Sequence, residues 1–87
     1  MKNWQQAKLA FLTDHLNKSR AIPDQKLRSL NYIENAIKNS YPLMLKDKDL
    51  FKDITESEFM DLYTTLKGRR INRYDKSVIH GLYKFSI

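Results

Sequence analysis

Residues 54–68 read ITESEFMDLYTTLKG, and this stretch decides the fold. Thr55 precedes Glu58 by three positions, the spacing at which a threonine hydroxyl and a glutamate carboxylate satisfy each other's backbone N–H groups at a helix start. Ile54 and Phe59 stand where a hydrophobic staple places its two apolar residues. Phe59, Leu62, Tyr63 and Leu66 then recur at three- and four-residue spacing, the period of one buried helix face. Gly68 closes the segment, because glycine takes the left-handed conformation after a helix C-terminus without a Cβ clash. Glutamates at the front and Lys67 at the back complement the helix dipole. The pattern predicts a helix over 56–67.

Working outward, the same period recurs on both sides. Residues 3–18 predict a first helix, with Trp4, Leu9, Leu12 and Leu16 plus Phe11 as its apolar stripe. His15, one turn from Phe11 and Leu12, reads as a boundary residue. Ile22-Pro23-Asp24 reads as a helix start, since proline's missing N–H has no partner to lose in a first turn. A second helix over 24–39 carries Leu27, Leu30, Ile33 and Ile37, and Tyr41-Pro42 stops it. Leu43 to Phe51, LMLKDKDLF, fits either a short helical turn or an extended connector whose apolar ends tuck under the neighbouring helices. Asn72 or Asp75 starts the last helix, which bears Val78, Ile79, Leu82, Tyr83 and Phe85. Gly81 within it costs about 1 kcal/mol relative to alanine, which points to a close helix crossing. The pattern runs to Ile87 with no stop signal. That suits a helix closing the core, or, as the preferred reading, the N-terminal part of a longer protein. The expectation is one all-α domain over 1–87, a bundle of four to five short helices. Its expected core is Trp4, Leu12, Leu16, Leu27, Leu30, Ile33, Ile37, Phe59, Leu62, Leu66, Ile79, Leu82 and Phe85.

Composition narrows the function classes. A chain of 87 residues supports one modest core. The absence of cysteine excludes disulfides, thiolate metal sites and thiol nucleophiles, and fits a reducing cytoplasm. No apolar run approaches the roughly 20 residues that span a bilayer, so no membrane partner is expected. His15 and His80 are not at metal-ligand spacing, so no metal or cofactor is expected. Asp47, Asp49 and Asp53 alternate with lysines but lack the glycine and final glutamate of a calcium loop. They read as a solvated acidic turn. Two glycines cannot build a glycine-rich phosphate cradle, and no triad is evident, so no enzymatic activity is expected.

Charge is what remains. The net charge is +6, unevenly spread: residues 1–38 carry +4, residues 47–61 carry −4 and residues 62–87 carry +5. The densest cluster lies in KGRRINRYDKSVIHGLYK, residues 67–84, where Lys67, Arg69, Arg70, Arg73 and Lys76 fall within ten residues opposed only by Asp75. Such a loop, feeding a helix whose free N–H groups also attract anions, suits phosphate contact. Asn72 fits a phosphate or a base edge, and Tyr74 fits stacking on a base or sugar. Lys18, Arg20, Lys26 and Arg28 form a second basic group.

Three stretches carry a resemblance to known proteins: LNYIENAIK (30–38), DLFKDITESEFMDLYTTLK (49–67) and NRYDKSVIHGLYKFSI (72–87). Together they resemble the small SAM-like helical domains found N-terminal to restriction endonucleases and as the core-binding domain of tyrosine recombinases. The resemblance implies a SAM-like bundle that contacts DNA as an accessory domain, with catalysis elsewhere in a larger protein. The Val78-Ile79-His80-Gly81 run departs from that family's smoother pattern of small and apolar residues. TESEFMDLYTTL (55–66) is also locally similar to a helix of colicin immunity proteins. Those are strongly acidic and carry paired tyrosines, so that function is not carried over.

The leading expectation is a nucleic-acid-binding module for duplex DNA using Lys67, Arg69, Arg70, Asn72, Arg73, Tyr74 and Lys76. One alternative is a small inhibitor or regulator of phage or plasmid type. It would meet an acidic protein through the arginines, or a basic one through Asp47, Asp49, Asp53 and Glu56. Another is an oligomerising domain paired through the last helix.

Overall fold

Residues 2–17, 24–40 and 50–87 are described by the computed structural model, apart from the side chains of Leu16 and Ser40. Among them the chain forms α1 (Trp4–Asn17), α2 (Asp24–Ser40), α3 (Leu50–Asp53), α4 (Glu56–Lys67) and α5 (Arg73–Phe85), with no strand. No helix among the described residues is long and apolar enough to cross a membrane.

The capping signals are realised. Thr55 Oγ accepts from the Glu58 N–H, and the Glu58 carboxylate accepts from the Thr55 N–H, both at 3.1 Å. Hydrogen bonds to its carboxyl from the Thr55 N–H and then the Thr55 hydroxyl hold Glu58 below its usual range. Gly68 adopts φ 73° and donates to the carbonyls of Thr64 and Thr65, ending α4 as its sequence requires. Asn72 caps α5 in the same reciprocal manner with Asp75.

The packing centre is α5, which contacts α1, α2 and α4, while α2 also meets α4. Val78, Ile79 and Leu82 are essentially fully buried, each burial contributing about 1.5–3 kcal/mol. Phe51 and Phe59 set their rings edge-on to Tyr83 at 5.0 and 6.0 Å. The Tyr83 hydroxyl donates to the Ile54 carbonyl at 2.7 Å. Burial, then the charges of Glu56 and Glu58, raise the Tyr83 pKa, keeping that donor protonated. At the other side of α5, Gly81 faces Phe11 of α1. A Cβ at Gly81 would stand 2.5 Å from the Phe11 ring, so this is the close crossing that the glycine implied. A polar clasp adds to α1 and α2: Trp4 Nε1 and Lys8 Nζ both donate to Glu34 Oε2, at 3.1 and 2.6 Å.

Several core expectations are corrected. On α1 the buried line is Trp4, Ala7 and Phe11, with Leu12 half-buried; Leu9 lies off that line and is 66% exposed. Leu27 and Leu66 are also exposed, because each sits at the edge of its helix's stripe, and Leu62 and Phe85 are only half-buried. Tyr63 takes the central α4 position beside Phe59. Leu50 and Phe51 are buried in α3, which resolves that end of the uncertain segment as helix. The Leu16 side chain, Leu43-Met44-Leu45, Asp47 and Asp49 lie outside the described residues. His15 is half-buried, its ring 4.7 Å from that of Phe11, consistent with a boundary role.

Two outcomes follow from this packing. Gly81→Ala gains about 1 kcal/mol of helix propensity but overpacks a site where the Phe11 ring is held between His15 and Phe85, at a cost of about 1–3 kcal/mol. Urea unfolding should show net destabilisation, converted to neutrality or gain in a Phe11→Leu background. The second concerns Glu34. Burial pushes its carboxyl up, but the Lys8 and Trp4 hydrogen bonds, with the charges of Lys8 and Lys38, outweigh that and hold it below the ordinary value of 4.5. Its stabilisation is therefore present above pH 4.5 and lost as pH falls through the lower folded value. Melting followed by the single tryptophan should show Glu34→Gln less stable than the parent at pH 7 and equal to it well into acid.

Candidate nucleic-acid interface

The loop between α4 and α5 is shaped by residues that do not themselves face solvent. Gly68 turns the chain, and Ile71, 7% exposed, inserts into the core. With Ile71 anchored inward, Arg69 and Arg70 before it and Arg73 and Lys76 after it are exposed. No hydrogen bond or ion pair among the described residues engages the side chains of Arg69, Arg70 or Lys76. Arg73 lies over the Tyr74 ring at 5.0 Å and donates to its hydroxyl at 3.0 Å, which stiffens both side chains.

Two of the expected phosphate contacts have other work. Lys67 Nζ donates to Asp75 Oδ2 at 2.6 Å and lies 5.8 Å from the Tyr63 ring centre. Its charge is neutralised within the fold. Asn72 spends its side-chain oxygen on the Asp75 N–H at 2.9 Å. At the N-terminus of α5 the buried Asp75, 1% exposed, also supplies a negative charge of its own. Lys18 and Arg20 of the second basic group lie outside the described residues. Lys26 is half-buried and Arg28 is exposed.

Arg28 does share a surface with the loop. It lines a groove of about 240 Å³ in which Ser29 and Tyr32 of α2 face Arg69, Tyr74 and Asp75. A second depression of about 230 Å³ adjoins it, floored by Ala36, Tyr63 and Leu66 and sharing Tyr32, Lys67 and Arg69 with the first. Burial, then the charge of Asp75, push the Tyr63 hydroxyl up to about 12, so that floor stays uncharged. A larger depression of about 440 Å³ along Leu9, Ala10 and Phe85 has no cation in its lining.

Sequence reading missed Tyr32 as a surface feature. The signal was present: Gln25, Arg28 and Tyr32 stand at i, i+3 and i+7, one face of α2 and not its apolar stripe.

Charge is segregated along the α4–α5 hairpin. Lys67–Asp75 joins the two helices at the loop end, while His80 Nδ1 meets Glu56 Oε1 at 2.9 Å at the far end. The acidic first turn of α4 is thus held away from the arginines by the helix's length, about 18 Å at 1.5 Å per residue.

No protein-family model matches the chain, no curated protein is significantly similar to it, and no solved structure matches it.

Because Asp75 is buried and its partners depend on it, Asp75→Ala should cost about 2–4 kcal/mol by urea unfolding. Arg69→Ala and Arg70→Ala should stay within about 0.5 kcal/mol of the parent.

Proposed function

We propose that the chain is a non-catalytic nucleic-acid-binding module, directed to the phosphates of duplex DNA by Arg69, Arg70, Arg73 and Lys76, with Arg28 across the groove. The observation that carries this reading is the exposure of four cations on one loop and helix start, pinned by Ile71, while the acidic first turn of α4 lies at the opposite end of the hairpin. Arginine's planar fork pairs with phosphate through two parallel hydrogen bonds, so an arginine-rich loop suits phosphodiesters better than a diffuse lysine surface does. Tyr74, stacked beneath Arg73, offers an aromatic edge to a sugar or base.

Binding of this kind is governed by counterion release. Four phosphate contacts give a log–log salt slope of about −3.6 on duplex DNA, at roughly −0.9 per contact. Fluorescence anisotropy on duplex DNA across a salt series should show that steep fall. Arg70→Glu with Arg73→Glu should weaken binding more than tenfold with an unchanged melting temperature. Unchanged affinity in the double variant would remove these arginines from the interface. Weak, sequence-blind DNA binding beside tight capture of one acidic protein would replace the reading with a protein-interaction module using the same side chains.

A further inference from the structure

The groove between α2 and the α4–α5 loop carries more than charge. Tyr32 projects from α2 with 64% of its surface exposed, and it borders both adjoining depressions. The first depression adds Arg28, the second adds the apolar floor of Ala36, Tyr63 and Leu66, and Arg69 borders both. Each depression, at about 240 and 230 Å³, is smaller than the roughly 300–1,000 Å³ of a drug-sized ligand site. Either has room for a single flat ring. Resting on the reading above, we infer that this groove takes an unpaired nucleotide, its base stacked on Tyr32 over the apolar floor and its phosphate held by Arg69 and Arg28.

The chemistry favours an unpaired base over a paired one. A base inside a duplex has both faces covered by its neighbours and offers none to a tyrosine. A base in a single strand, gap or overhang offers a full π-face, and stacking on an aromatic side chain stabilises it whatever its identity. Arg69 borders both depressions, so it can follow the backbone of a strand whose base has turned inward. The neutral Tyr63 hydroxyl and the Lys67–Asp75 pair leave no uncompensated charge under the ring. The module then prefers a single-stranded segment beside the duplex contacts of Arg70, Arg73 and Lys76.

Three fluorescent probes of one sequence test this: duplex DNA, single-stranded DNA and single-stranded RNA. Parent, Tyr32→Ala and Tyr32→Phe are titrated with each at low salt. Tyr32 is a surface residue, so the variants should fold, and their melting temperatures verify it. Tyr32→Ala should lose roughly tenfold or more on the single strand and little on the duplex, while Tyr32→Phe, which keeps the ring, should retain binding. Which of the two single strands is preferred identifies the sugar. Single-strand binding that Tyr32→Ala leaves unchanged overturns the nucleotide groove and leaves the phosphate-binding function standing. No binding to any probe at low salt overturns both.

Discussion

The approach of Phe11 to Gly81 is the constraint on which the rest of the molecule depends. A chain of 87 residues has few apolar side chains to spend, so its one central helix must touch several neighbours at once. Gly81 removes the Cβ that would keep α1 away, and the Phe11 ring takes the space. With α1 seated there, α5 can bury Val78, Ile79 and Leu82 among α1, α2 and α4. The helix propensity surrendered at Gly81 is offset by that contact. The Lys2 N–H, which donates to the Ser86 carbonyl at 2.7 Å, then ties the start of the chain to the end of the same helix.

The α4–α5 hairpin converts this packing into a surface. Its two ends carry different polar joints, Lys67–Asp75 by the loop and Glu56–His80 far from it, and the contrast in burial shows which one is structural. Asp75 is fully enclosed and completes the cap of α5, whereas Glu56 is partly open to water and His80 largely so. An exposed pair of this kind contributes between nothing and about 1 kcal/mol. The loop end is therefore the rigid one. A rigid loop loses less conformational freedom when its arginines close on a partner, and preorganisation of this sort raises affinity without adding contacts.

Local signals were the legible part of the sequence. Thr55, Glu58 and Gly68 marked both ends of α4, and Asn72 was one of two candidate starts for α5, because capping is chemistry between residues a few positions apart. Long-range partnership was not legible. Leu9 and Leu27 have the side chains of core residues, yet Ala7 and Ser29 are buried instead, since the stripe is set by what each helix meets. The site divided in the same way. Arg69, Arg70, Arg73 and Lys76 could be named from charge density alone. That Lys67 and the Asn72 side-chain oxygen are already engaged required knowing that Asp75 turns inward, and the inclusion of Arg28 required the placement of α2 against the loop.

That division shows how a small basic cluster acquires direction. Charge density by itself attracts any polyanion and specifies no orientation. Here Lys67 and Asp75 cancel one another beneath the loop, Ile71 fixes which way the backbone faces, and Tyr74 stiffens Arg73. The residues that do not touch solvent thus decide which cations do. A cluster in which all five cations pointed outward would be more strongly charged but less ordered, since Lys67 would leave Asp75 buried without its counter-charge. The internal ion pair trades one unit of surface charge for a fixed helix start, and the fixed helix start is what sets Arg73, Tyr74 and Lys76 beside Arg69 and Arg70.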